Sequence, residues 1–477
     1  MRRLVFPSLY RARRDTRDLV RLALPLIAAQ IAQISLPFVD TAMAGRIGPE
    51  ALAGIALGST FIQFLTIFAI GILLSIGPTV SQAVGRGDRE SAARAARQGV
   101  WIAVIISVPG FILMQFASPI LLALGQDPDT VALASGYLRV AAFGFLPSLV
   151  LVALRGFLEG NLDTRPILYV QITGALVNVV ADPLFMFGWG PIPAFGLVGT
   201  GIATAIVYTV MAVVAAGYVA TQYAGDRVLR GMRRPDPTVM LDLLRVGWPI
   251  GLTLGFEAGL FTASALLMGL FGEAPLAAHQ ITIQAASITF MVPLGFSIAA
   301  GVQVGQAAGR GSVEDVRRLG IVGIAASGTF MISTAMLFWL APIPIIRVFT
   351  DVADPAALEV VRWASGFLAF AALFQVADGV QVAAAGALRG LRDTRVPMLL
   401  SIGSYWGVGL SSGVLLAFVG PYGPYGLWAG LVVGLTVAAF VMTGRFLRLA
   451  TPGRAPVREP VVDAGDTQEA AAGGVNS

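Results

Sequence analysis

Twelve apolar stretches of roughly 20 residues or more fill most of this chain, and about 20 residues are what a helix needs to cross a bilayer. They run roughly over 20–45, 52–84, 99–124, 131–154, 166–189, 195–222, 246–270, 276–308, 319–346, 357–388, 396–419 and 426–447. The second and eighth are long enough to require tilt or an extension along the interface. With 56% of residues hydrophobic and only 12% charged, against about 25% charged in a soluble domain, the chain reads as an all-α membrane protein. The absence of cysteine and the single histidine, His279, exclude disulfide scaffolds, thiolate metal centres and multi-histidine metal sites. No cofactor and no nucleic-acid partner are expected.

All 32 basic residues are arginine, and 28 of them fall on one side of the expected spans. They lie in the N-terminal tail (Arg2, Arg3, Arg11, Arg13, Arg14, Arg17, Arg21), in the even-numbered loops and in the C-terminal tail. The even loops include Arg155 and Arg165, the linker with Arg227, Arg230, Arg233, Arg234 and Arg245, and Arg389, Arg392 and Arg395. By the positive-inside rule both termini are expected in the cytoplasm, with the protein in the inner (plasma) membrane. Six of the seven tryptophans, Trp428 among them, fall near expected span ends, at headgroup level. No cleavable signal peptide is expected at the basic start, and the polar tail from 448 to 477 is expected to be disordered.

The chain repeats itself. VSQAVGRG at 80–87 matches VGQAAGRG at 304–311 at an offset of 224, and Arg21 and Pro25 meet Arg245 and Pro249 at the same offset. ALRG at 153–156 recurs at 387–390, while DTR at 163–165 and FGLVG at 195–199 recur near an offset of 230. This predicts a tail (1–19), a six-helix N-lobe (20–222), a cytoplasmic linker (223–245), a six-helix C-lobe (246–447) and the C-terminal tail. An even number of spans per unit makes the repeats parallel, an arrangement suited to rocking alternating access.

Four acidic residues lie deep within spans: Asp40, Asp182, Glu257 and Asp378. A charge there costs at least about 2.5–3.5 kcal/mol. At the repeat offsets they align with Ser264, Ser412, Gln33 and Ser148, so the scaffold does not need acids at those places, and they are expected to serve function. Pro37 and Pro183 each remove a helix hydrogen bond beside Asp40 and Asp182, and a kink or loosening is expected there. Asn178 shares a helix face with Asp182, four residues on. Together these groups can hold a proton or Na⁺, or present an electronegative pocket to an organic cation. A carboxyl group that trades a proton for cargo must titrate near neutrality, and a desolvated, like-charged setting provides for that; Asp40 is the expected switch. Gln33 and His279 are weaker candidates. The GRG sequences lack the lysine of a phosphate loop and read as turns.

The stretch PFVDTAMAGRIGPEALAGIALG (37–58) resembles the first-span signature of MATE proteins, the multidrug and toxic compound extrusion family, and is most similar to the DinF-like branch. GRGDRESAARAARQG, ALRGFLEGNLDTRP, NVVADPLF, FGLVGTGIAT, LAAHQI, FQVADGVQ and ALRGLRDTRVP continue the likeness in order. The resemblance implies two six-helix lobes forming a V, and monomeric antiport of amphipathic or cationic compounds against H⁺ or Na⁺. It also implies an N-lobe site at Asp40, Asn178, Asp182 and Thr200, and a C-lobe cation site at Glu257 and Asp378 of the kind found in the NorM-like branch. Na⁺ could be held at either acidic pair. The alternatives are a flippase for a lipid-linked sugar precursor, which should line its cavity with arginine, and an intramembrane channel or enzyme.

Overall fold

A computed structural model describes residues 2–226, 228–229 and 234–451, with side chains from Arg13 onward. The linker residues Arg227, Arg230 and Arg233, the tail beyond Thr451 with Arg454 and Arg458, and the side chains of Arg2, Arg3 and Arg11 lie outside the described residues. Among those described, twelve helices are long and apolar enough to span a membrane. They are α1 (Arg13–Ile47), α2 (Pro49–Gly85), α3 (Arg89–Gln115), α4 (Pro128–Gly160), α5 (Arg165–Phe187), α6 (Leu197–Gln222), α7 (Pro237–Gly269), α8 (Glu273–Gly309), α9 (Val313–Leu340), α10 (Pro355–Gly390), α11 (Arg395–Val419) and α12 (Pro424–Leu449).

Several helices outrun their apolar stretches because polar caps, not hydropathy, end them. Asp236 accepts hydrogen bonds from the backbone N–H of Thr238 and Val239, so α7 begins at Pro237, nine residues before the apolar run. Asp88 caps α3 through Ser91 N–H, Asp127 caps α4 through Thr130 N–H, and Ser312 caps α9 through Asp315 N–H. The helices run unbroken through Pro37 and Pro183, so no break accompanies the missing bonds. The long α2 is interrupted instead at Leu74–Ser75, between Leu73 and Ile76. In α11, Gly403–Leu410 and Leu415–Val419 wind as π-helix, and Ser411 Oγ donates to Trp406 O five residues back at 3.0 Å.

The duplication is visible in the packing. A Cβ on Gly71 would stand 2.1 Å from Gly251 Cα, and one on Gly295 would stand 2.4 Å from Ile27 Cγ1; the residue pairs are related by 224. These contacts press α2 on α7 and α1 on α8, the two seams between the halves. At the arginine-rich end a Cβ on Gly85 would come 2.2 Å from Gln306 O, and one on Gly309 2.2 Å from Gln82 O. Gln82 Nε2 donates to Gly390 O at 2.9 Å, and Gln306 Nε2 donates to Gly160 O at 3.0 Å. The lobes are therefore shut against each other at that end. The DTR aspartates serve as ties within each half: Asp163 accepts from Tyr218 and Tyr223, and Asp393 from Arg445.

Two sequence readings need correction. Leu162 (φ 61°) and Arg392 (φ 59°) adopt the same left-handed turn at an offset of 230, so the ALRG match lies one helical turn out of register. Glu159, not Arg155, is the structural counterpart of Arg389. Both arginines, read as loop residues, sit inside α4 and α10. Trp428, near the start of α12, is fully buried, packed against His279, Phe367 and Phe374.

Candidate functional site

A cavity of about 700 Å³ opens within the first half, walled by α1, α2, α4, α5 and α6, with Met114 of α3 and Leu254 of α7 also on its lining. Asp40 and Asn178 lie on its wall. The amide of Asn178 joins the two acids: Nδ2 donates to Asp40 Oδ1 at 2.9 Å and to Asp182 Oδ2 at 3.2 Å. Asp182 is fully buried, and its Oδ1 has no hydrogen-bond partner. The two carboxyl groups themselves lie within hydrogen-bonding reach of each other. Two charges about 4 Å apart repel by about 4 kcal/mol at an effective dielectric constant near 20, so a proton or cation between them relieves repulsion and also supplies the missing donor.

Thr200, grouped with these residues by the family resemblance, is fully buried in α6 with its hydroxyl unpartnered. Thr204, one turn further on, lines the cavity instead. Tyr137 and Tyr208 also line it and lie within electrostatic reach of Asp40. Sequence reading missed them because an isolated tyrosine in an apolar span carries no mark of the face it occupies. Gln33 faces the cavity but is engaged: its Oε1 accepts from Arg155 Nη1 at 3.2 Å. Arg155 further donates to Gln30 Oε1 at 2.7 Å and to Glu159 Oε1 at 2.7 Å. The one arginine on the cavity wall is thus neutralised by its own helix.

In the second half, Asp378 is buried with Oδ1 unpartnered, and Glu257 lies within electrostatic reach of it and of Arg389. Arg389 donates to Ser297 Oγ at 3.1 Å. Tyr405, fully buried with an unpartnered hydroxyl, faces the same charges. Among the described residues no three carboxylate or imidazole groups converge. Arg389, within electrostatic reach of Glu257, already supplies positive charge beside these acids. His279 is not with the acids; it is 1% exposed and meets the Trp428 ring edge-on at 5.4 Å.

Two acid pairs in separate halves of a twelve-span duplicated bundle are the features of a known architecture. The sequence profile of the MatE family matches residues 25–184 and 249–415. The chain belongs to the MatE family. This MATE protein is 42% identical over 445 residues to a "Probable multidrug resistance protein NorM" of Deinococcus radiodurans, covering 92% of this chain and 97% of that one. It is 39% identical over 434 residues to a protein of the same name from Pseudomonas aeruginosa, covering 91% and 89%. These relatives carry the NorM name, not the DinF name to which the first-span motif pointed. Its fold matches the "Outward-facing conformation of a multidrug resistance MATE family transporter of the MOP superfamily" with a TM-score of 0.82 at 21% identity, covering 91% and 96%. The chain is accordingly a multi-pass membrane protein with the all-helical MATE fold.

Proposed function

We propose that this protein is a secondary multidrug efflux antiporter, expelling amphipathic and cationic compounds in exchange for protons. It works as a monomer in the inner membrane with both termini in the cytoplasm. The reading rests chiefly on one observation: a single amide holds Asp40 and Asp182 together at the wall of a cavity large enough for a drug-sized molecule. With both acids ionised the cavity attracts a cation. A proton taken up between them from outside halves that charge and weakens the attraction, and the cargo leaves. The singly protonated pair then resets the lobes, and on the cytoplasmic side proton loss restores the full charge. Similarity to the NorM proteins supports multidrug efflux as the activity and the NorM side of the family as the branch. The Glu257–Asp378 pair is then the second candidate for coupling, with Na⁺ as its ion.

The flippase reading has one observation in its favour, an arginine on the cavity wall. Arg155 is held by Glu159 and two glutamine oxygens, which leaves the uncompensated charge acidic and suits a cationic cargo.

Dye efflux from proteoliposomes under an imposed pH or Na⁺ gradient tests this reading. Wild type and Glu257→Gln should run on the pH gradient, and Asp40→Asn should fail on both. Normal transport by Asp40→Asn removes the N-lobe from the mechanism. Loss only in Glu257→Gln, with Na⁺ alone as driver, moves coupling to the C-lobe.

A further inference from the structure

A second cavity, about 670 Å³, lies on the α1–α8 seam where α9 begins, α8 ends and the turn after α4 passes, beside the charged turns of the first helix that precede its apolar run. Three of these four walls are ends of spans, the level at which headgroups lie. Its charges do not cancel. Arg318 spans Asp15 at 2.8 Å and Asp315 at 2.7 Å, and Arg14 lies 3.8 Å from Asp18. Arg21 and Arg310, also on the wall, have no carboxylate partner among the described residues. Gln303, 9% exposed, lines the same pocket, and its Oε1 lacks a donor. Because Arg318 is shared by two of the aspartates, the site offers two guanidinium groups with no carboxylate partner and one buried acceptor, on a wall whose four arginines and three aspartates leave one net positive charge.

The repeat shows what differs on the other seam. Asp18, Arg21 and Arg310 correspond to Asp242, Arg245 and Arg86 at an offset of 224, and Leu162 corresponds to Arg392 at 230. Arg392 reaches Asp242 and bonds it, so there the chain puts its own guanidinium into the space. On the first seam the same left-handed turn carries leucine, and the space stays open.

The geometry points to a phospholipid-binding site: the phosphodiester of a headgroup lies between Arg21 and Arg310, and a donor on the same headgroup bonds Gln303 Oε1. Guanidinium groups suit phosphate oxygens, and basic pockets between membrane helices at this level take lipid headgroups. The unpartnered oxygen sets the selectivity. Ethanolamine offers N–H and glycerol offers O–H, whereas choline offers neither. Gln306, which closes the lobes, lines the same pocket, so the occupant touches the closure.

The test uses the purified full-length chain in detergent. Thermal unfolding is followed with phosphatidylethanolamine, phosphatidylglycerol or phosphatidylcholine at equal mole fraction, and with inorganic phosphate alone. Native mass spectrometry counts retained lipids. Ethanolamine and glycerol lipids should raise the midpoint and stay bound, and choline lipid should bind at least tenfold more weakly. Two variants should each abolish the difference: Arg21→Gln with Arg310→Gln, which removes the cations, and Leu162→Arg, which supplies the guanidinium found on the other seam. If one misfolds, the other still decides. Equal stabilisation by choline lipid, or full selectivity in a folded variant, overturns the site. Saturation by inorganic phosphate with no lipid competition overturns the lipid as its occupant. The outcome does not depend on the coupling ion or cargo, so failure of the efflux reading leaves it standing.

Discussion

The paired glutamines at the arginine-rich end allow a quantitative prediction about the closed state. Gln82 and Gln306 each cross from one half to the other, to Gly390 O and Gly160 O, and both are buried. A neutral hydrogen bond is worth about 1 kcal/mol net, and stranding a buried carbonyl costs about 1–3 kcal/mol. Opening hydrates these carbonyls, so Gln306→Leu penalises only the closed arrangement, by about 1–3 kcal/mol, or roughly 5–150-fold in the open-to-closed ratio. The symmetric Gln82→Leu should match it, and the double variant should approach the sum. The chain has no native cysteine, so Ser81→Cys, fully buried at the same contact as serine, is a clean reporter. Labelling by a membrane-impermeant maleimide applied from the arginine-rich side should accelerate by at least fivefold in either variant, relative to the Ser81→Cys parent. Rates within twofold of the parent in both would show that these bonds do not hold the lobes shut.

Other substitutions probe the seam, the cavity wall and the two kinds of candidate site. Gly71→Val forces its Cβ onto the Gly251 backbone and should cost about 1–3 kcal/mol, seen as a fall in melting temperature; an unchanged midpoint contradicts the close approach of α2 and α7. Arg155→Met leaves Glu159, whose side chain is 8% exposed, without its cation and should destabilise by about 3–5 kcal/mol, with Arg155→Met/Glu159→Leu recovering most of it; no recovery refutes the pairing. Asn178→Leu strips the donor from both carboxyl groups and should lower efflux at least tenfold, whereas His279→Leu should lower the melting temperature and leave efflux within twofold of wild type. Reversal of that contrast would exchange the roles assigned to the two residues.

The spans, the duplication and the Asn178–Asp182 pair were legible because each depends on short-range pattern; Asp40, 138 residues from Asn178, joined them through the family resemblance. A twenty-residue apolar run, a repeated octapeptide and a four-residue spacing on one helix face all survive without coordinates. Arg155 and Arg389 were misread because hydropathy ends a span at the first charge, while the helix continues and folds the side chain back onto partners in other helices. ALRG misled for a related reason: identity of four letters outweighed the turn geometry of Leu162 and Arg392, which sets the true register. The π-helical winding of α11 left no trace beyond a surplus of glycine. Gln82 and Gln306 stood inside the most obvious repeat, yet their partner carbonyls lie 308 and 146 residues away, beyond the reach of any local pattern.

Proton counting on binding gives the most direct test of exchange at the N-lobe acids. Purified protein in weakly buffered detergent solution is mixed with a cationic dye near neutral pH, and the released protons are followed with a pH indicator alongside dye binding. The account predicts release of about one proton per dye bound in wild type and in Glu257→Gln, and none in Asp40→Asn. Dye binding without release in wild type, or undiminished release from Asp40→Asn, would contradict it.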